Sequence, residues 1–200
     1  MGKLSVSEVN CMRDEQFEWV FRNVIELRPE AAACVREQRP FSDASDLWAA
    51  FHKYLDELSK LQVLKSHPDL AGRLAAAGEL TQESTDEQRE AGLNELTVEQ
   101  KAVMDSSNAR YKKKFGFPFI ICARENKIQS IIDGLNTRYN NVLEQEIQIG
   151  IHEVKKICNM RLSTDFTKFW PWQERKMANL LINKKDNRLL VMSIIIIKSV

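Results

Sequence analysis

The sequence predicts an all-α fold, a single-domain bundle of about eight helices, and three features carry that expectation. Apolar residues recur at spacings of three and four through most of the chain, as in Leu47, Phe51, Tyr54, Leu55 and Leu58. Helix-starting and helix-stopping residues stand at the ends of such runs, with Thr97 and Gln100 opening a long one and Gly116 closing it. The apolar segment 117–123 lacks helical periodicity, but Pro118 argues against a central strand there. With 200 residues, 44% of them hydrophobic, the chain is long enough to bury a core of its own.

Taken in order, Phe17, Val20, Phe21, Val24 and Ile25 mark a first helix over residues 15–27, N-capped by Asp14 and finished before Pro29. A short helix follows over 30–38. The third starts after Asp43 and should end near Ser66, because Pro68 pushes the residue before it out of the α region. Asp69 then caps a segment that Gly78 ends, and residues 81–84 form a polar connection into a helix running from near Thr85 to Gly92. A capping box at Thr97-Val98-Glu99-Gln100 opens the helix that ends at Phe115, with Lys112, Lys113 and Lys114 complementing the dipole of its last turn. Segment 117–123 is expected to be a buried extended stretch. Ile128, Ile131, Ile132 and Leu135 mark another helix, and Leu143, Ile147, Ile151, Val154 and Ile157 a longer one reaching about Met160. Beyond Leu162 the character changes, through Trp170-Pro171-Trp172 and Lys184-Lys185 to the β-branched run 193–197. The expected division is a helical domain over 1–162 and a C-terminal tail over 163–200, whose last run either packs on the body or invites association.

Composition excludes several function classes. Lys plus Arg is 29 and Asp plus Glu is 28, a formal net charge of +1, so no global field recruits nucleic acid or anionic lipid. Cys11, Cys34, Cys122 and Cys158 are scattered and form no Cys-x-x-Cys pair, which fits a reducing compartment. The N-terminal segment is too polar for a secretory signal. The most apolar window, residues 189–197, is far short of the roughly 20 residues of a membrane span, so a soluble protein is expected. No metal is expected, since neither His-x-x-x-His nor His-Glu-x-x-His occurs. Dinucleotide, Walker and G-x-S-x-G motifs are absent too.

Of the three histidines, His52 and His152 fall inside helical patterns, whereas His67 sits at a break where a side chain can face a cleft. Ser84-Thr85-Asp86-Glu87 fits an S-x-x-E capping box, in which Ser84 and Glu87 simply satisfy free backbone N–H groups. The same helix start suits a polar, negatively charged ligand lined by Ser84, Glu87 and Gln88. Segment 117–123 reads first as core; if one side is unpaired, its amides can meet a flat, amide-rich ligand.

Three stretches together resemble the OHCU decarboxylase family: Ser66-His67-Pro68-Asp69-Leu70-Ala71, Ser84-x-x-Glu87-Gln88-x-x-Ala91-Gly92-Leu93, and Asn108-x-x-Tyr111-x-x-Lys114-Phe115-Gly116-Phe117-Pro118-Phe119. The likeness spans about Val6 to Leu162 and takes in Arg138-Tyr139-Asn140-Asn141 ahead of the last long helix. It implies an all-helical lyase, commonly a homodimer and free of cofactor. Such an enzyme decarboxylates 2-oxo-4-hydroxy-4-carboxy-5-ureidoimidazoline (OHCU) to (S)-allantoin in uric acid degradation. It also implies catalytic roles for His67 and Glu87. Substrate contacts fall to Pro68, Ser84, Thr85, Asp86, Gln88, the backbone of Phe119, Ile120, Ile121, Cys122 and Ala123, and Arg161. In that scheme backbone N–H groups stabilise the charge left by departing CO₂, and a protonated His67 delivers a proton to one face. Glu87 holds the substrate hydroxyl or orients the imidazole, and a nearby carboxylate favours the charged histidine. A peroxisomal address is implied by the likeness, although Lys198-Ser199-Val200 does not match the Ser-Lys-Leu type of signal; the alternative is cytoplasmic. The competing reading is a non-enzymatic helical interaction module with the Trp-bearing tail as its docking element.

Overall fold

Capping chemistry sets many of the helix ends. The computed structural model describes residues 4–165, and among them stand ten α-helices and no strand. These are α1 (Val6–Asn10), α2 (Asp14–Phe21), α3 (Glu30–Arg36), α4 (Ala44–Glu57), α5 (Lys60–Lys65), α6 (Arg73–Ala77), α7 (Gln82–Glu90), α8 (Val98–Phe115), α9 (Ile128–Arg138) and α10 (Leu143–Asp165). A 3₁₀ turn, Ala123–Glu125, lies between α8 and α9. The Asp43 carboxylate accepts from the Asp46 N–H at the start of α4. The Thr97–Gln100 capping box opens α8, and Gly116 closes it at φ +78°, a left-handed conformation that glycine adopts without a Cβ penalty.

The all-α expectation holds, with ten helices rather than eight, and the differences have local causes. A Ser5–Glu8 capping box starts α1, ahead of the first helix expected. Asp14 is the first residue of α2 rather than its cap, and its carboxylate pairs with Arg36 and Arg39. That helix stops at Phe21; Val24 and Ile25 are buried from the turns that follow, where Leu27 takes φ +53°. The helix expected to reach Ser66 breaks at Leu58, which is extended, so α4 and α5 are separate. Asp69 does not cap α6: its carboxylate pairs with Lys112 at 2.9 Å, and Gly72 is the capping residue. The last helix runs on to Asp165, and the tail expected beyond it lies outside the described residues.

The core has two aromatic clusters. Phe17 contacts Phe21 and Phe41, with Phe51 against Phe21, while Tyr111 gathers Phe115, Phe117 and Phe119. α10 packs on α2, α4 and α5. A Cβ on Gly150 would come within 2.8 Å of Leu64, so the small residue lets α5 press against α10 and fixes where the chain after α5 emerges. No helix among the described residues is long and apolar enough to cross a membrane.

Candidate active site

The end of α5 presents His67. Ser66 is the last α-helical-conformation residue, and Pro68 lacks the N–H needed to extend the helix. The imidazole Nδ1 lies 3.0 Å from the Val63 carbonyl oxygen. A carbonyl only accepts, so Nδ1 carries the hydrogen, and in the neutral ring Nε2 carries the lone pair. The turn beyond is held from two helices: the Ala71 N–H donates to Gln88 Oε1 at 2.8 Å, and Asn108 Nδ2 donates to the Leu70 carbonyl at 2.9 Å. Ala71 takes φ +49°, a left-handed conformation unfavourable for a residue with a Cβ, and these two bonds keep it there.

The capping reading of Ser84 and Glu87 is overturned. Thr81 is the N-cap of α7, its hydroxyl accepting from the Ser84 N–H at 3.2 Å, and both Ser84 and Glu87 lie buried within the helix. Ser84, Glu87 and Gln88 share one face, as i, i+3 and i+4 positions do, and that face meets α10 and the turn after His67. Thr85 and Asp86 project elsewhere. The Thr85 hydroxyl returns to the Thr81 carbonyl, and Asp86 pairs with Arg89 at the surface.

Arg161 of α10 is only 2% exposed and organises the interior of the site. Its Nε and Nη2 donate to the two oxygens of Glu87 at 2.7 and 2.8 Å, a bidentate pair. Nη2 also reaches Ser84 Oγ at 3.1 Å. Nη1 donates to the Asn23 carbonyl at 2.8 Å and lies 2.7 Å from Glu26 Oε2. Glu26 in turn accepts from Ser84 Oγ at 2.9 Å and from Thr81 Oγ1 at 3.1 Å. Burial opposes the Arg161 charge, but the hydrogen bonds and charges of Glu87 and Glu26 outweigh it and hold its pKa above the ordinary range.

These residues converge. His67, Pro68, Leu70, Ser84, Glu87, Gln88, Phe119, Ile120, Ile121, Ala123, Ile157 and Arg161 line one small cleft partly open to solvent. Cys122 stands behind this wall and gives its N–H to Glu153 at 2.8 Å. Sequence reasoning missed Glu26 and Asn23, which fall in the turns after α2. The available signal was an acidic residue embedded in the apolar run Val24-Ile25-Glu26-Leu27.

The imidazole differs from the expected charged form. Burial pushes His67 down to about 4; the charge of Glu26 and the bond to Val63 oppose that shift, and Arg161 reinforces it. Neutral imidazole therefore faces the cleft at neutral pH. The ring bond of the imidazole runs to the Val63 carbonyl, and both Glu87 oxygens bond Arg161. Burial also raises the thiol of Cys122 to about 11 and that of Cys158 to about 12. No group of three or more His, Cys, Asp or Glu side chains suited to a metal occurs among the described residues.

Residues 10–163 match the family model described as OHCU decarboxylase. A 2-oxo-4-hydroxy-4-carboxy-5-ureidoimidazoline decarboxylase of Amia calva is 43% identical over 162 residues, covering 80% of this chain and 93% of the relative. The enzyme of that name from Xenopus laevis is 40% identical over the same shares of the two chains. A crystal structure of OHCU decarboxylase in the presence of (S)-allantoin superposes with a TM-score of 0.59 at 22% identity, covering 78% of this chain and 99% of the other, a likeness of fold.

Proposed function

Because this chain belongs to the OHCU decarboxylase family, we propose that its cleft decarboxylates OHCU to (S)-allantoin, a step of uric acid degradation. The observation that carries this reading is the meeting of His67, the Glu87–Arg161 pair and segment 119–123 around one small cleft.

Loss of CO₂ leaves an electron pair that flows into the neighbouring imine, whose nitrogen takes up the proton that the reaction of an anionic substrate consumes. The carbon that lost the carboxylate still bears its hydroxyl. That hydroxyl must become a carbonyl while the ureido-bearing carbon gains a proton. A neutral imidazole with its Nε2 lone pair free serves both halves. It takes the hydroxyl proton, becomes transiently charged, and passes a proton to the ureido-bearing carbon from one face, which sets the (S) configuration. Ser84, Gln88 and the backbone of Phe119, Ile120, Ile121 and Ala123 orient the ring and ureido groups, and Pro68 closes the cleft beside the imidazole. Glu87 and Arg161 act as one fixed polar unit. No step calls on a metal or an organic cofactor.

The family likeness also supports a homodimer, checked by light scattering of the purified protein, and a peroxisomal rather than cytoplasmic address, checked by imaging. The functional test is the circular dichroism of freshly made OHCU. The protein should accelerate its decay with a signal of one sign, and His67→Asn should abolish that signal while leaving the melting curve in place. Full activity in that variant removes His67 from the mechanism.

A further inference from the structure

The stretch Arg138-Tyr139-Asn140-Asn141 has no part in the cleft, yet the structure connects it to the cleft wall. Glu146, in the first turn of α10, is fully buried and accepts from Arg138 Nε at 2.8 Å, Arg138 Nη2 at 2.5 Å, Asn141 Nδ2 at 2.7 Å and the Tyr111 hydroxyl. The remaining terminal nitrogen, Arg138 Nη1, donates to the Ile120 carbonyl at 2.8 Å. The guanidinium also lies 4.4 Å from the centre of the Phe119 ring. Two residues along, the Cys122 N–H is held by Glu153 of α10, itself steadied by Lys156 at 2.9 Å. Arg138 and Glu153 thus hold segment 119–123 at Ile120 and at Cys122, on either side of Ile121, while Phe119, Ile120, Ile121 and Ala123 line the cleft.

We propose that Arg138, oriented by Glu146 and working together with Glu153, is a positioning residue that clamps segment 119–123 and fixes where this part of the cleft lining meets the substrate. This rests on the decarboxylase reading above. Arg138 touches no substrate; its effect passes through the Ile120 carbonyl and the Phe119 ring. A rigid wall matters because misplacing a pre-oriented group by about 1 Å lowers turnover by as much as a hundredfold.

Arg138→Lys keeps a charge beside Glu146, but one ammonium cannot serve both that carboxylate and the Ile120 carbonyl. Its kcat on OHCU should fall about tenfold to a hundredfold, while KM changes less than about threefold. The pH–rate profile should keep its shape, because His67 is untouched. Amide exchange across residues 117–123 should quicken, and that of α7 should stay as in the parent protein. Wild-type kcat together with unchanged exchange in 117–123 overturns the clamp. Should Arg138→Lys fail to fold, Glu153→Ala frees the Cys122 N–H and leaves Lys156 facing solvent; faster exchange in 117–123 with lowered kcat supports the clamp, and parent-like values overturn it. If the unsubstituted protein does not accelerate OHCU decay, the functional reading falls, while the exchange measurement still decides the clamp.

Discussion

Arg161 lines the cleft and Arg138 stands outside it, bonded to the Ile120 carbonyl of the lining segment, and the surroundings of the two differ in charge. Arg138 shares one carboxylate, Glu146, with a phenol and an amide, so that cluster is formally neutral and every Glu146 contact is a donor. Arg161 lies between two carboxylates, Glu26 and Glu87, and the hydroxyls of Ser84 and Thr81 complete the set. With both carboxylates ionised that cluster carries a formal surplus of one negative charge beside His67. The balanced cluster suits architecture. The unbalanced one lies where a proton must move, and a buried unbalanced charge is retained only where its neighbours over-determine it.

The strongest test of the difference removes each arginine–carboxylate link. Arg161→Met strands two carboxylates in the interior and should lower the unfolding free energy by about 3–5 kcal/mol, read by urea denaturation, with loss of OHCU turnover. Glu146→Gln should be milder, about 1–3 kcal/mol, because the amide oxygen still accepts hydrogen bonds and the Arg138 side chain, 13% exposed, retains some contact with water. Equal losses would erase the distinction between the clusters.

Glu87→Gln sharpens the comparison from the other side, since it brings the Arg161 cluster to formal neutrality. The melting temperature should move by only a few degrees, within about 1 kcal/mol, while kcat falls more than about tenfold. Retained turnover would show that the surplus charge has no part in the reaction.

The smallest effect concerns pH. The folded imidazole of His67 titrates at about 4, below its ordinary 6.5, so between these values the unfolded chain binds the extra proton. Its contribution is complete above about 6.5 and is lost as pH falls towards about 4. Groups facing the ring from its neighbours are Glu26, which raises its pKa, and Arg161, which lowers it. Urea titrations of the parent protein and His67→Asn should diverge across that window, the variant losing less stability on acidification. Parallel curves would mean that the imidazole is charged in the fold.

Much of the fold was legible residue by residue. The ends of α8 follow from Thr97, Gln100 and Gly116, and the start of α4 follows from Asp43. These signals are local: a cap acts within one turn, and helical periodicity needs only its own segment. Where local signals misled, a distant partner had won. Asp69 was drawn away to Lys112 and Asp14 to Arg36 and Arg39, while at Ser84 and Glu87 an earlier cap, Thr81, began the helix and left both side chains to Arg161.

The family resemblance brought His67, Glu87 and Arg161 into view together. What they do to one another was decided by tertiary structure. Arg161 bonds to Asn23 across 138 positions and to Glu87 across 74, and no spacing rule reaches so far. By itself the sequence determined the helical class, the main caps and the break at His67-Pro68. Packing decided that Glu26 shares the guanidinium and that the imidazole is neutral, because the energy of a charge depends on which groups exclude water from it, wherever they lie along the chain.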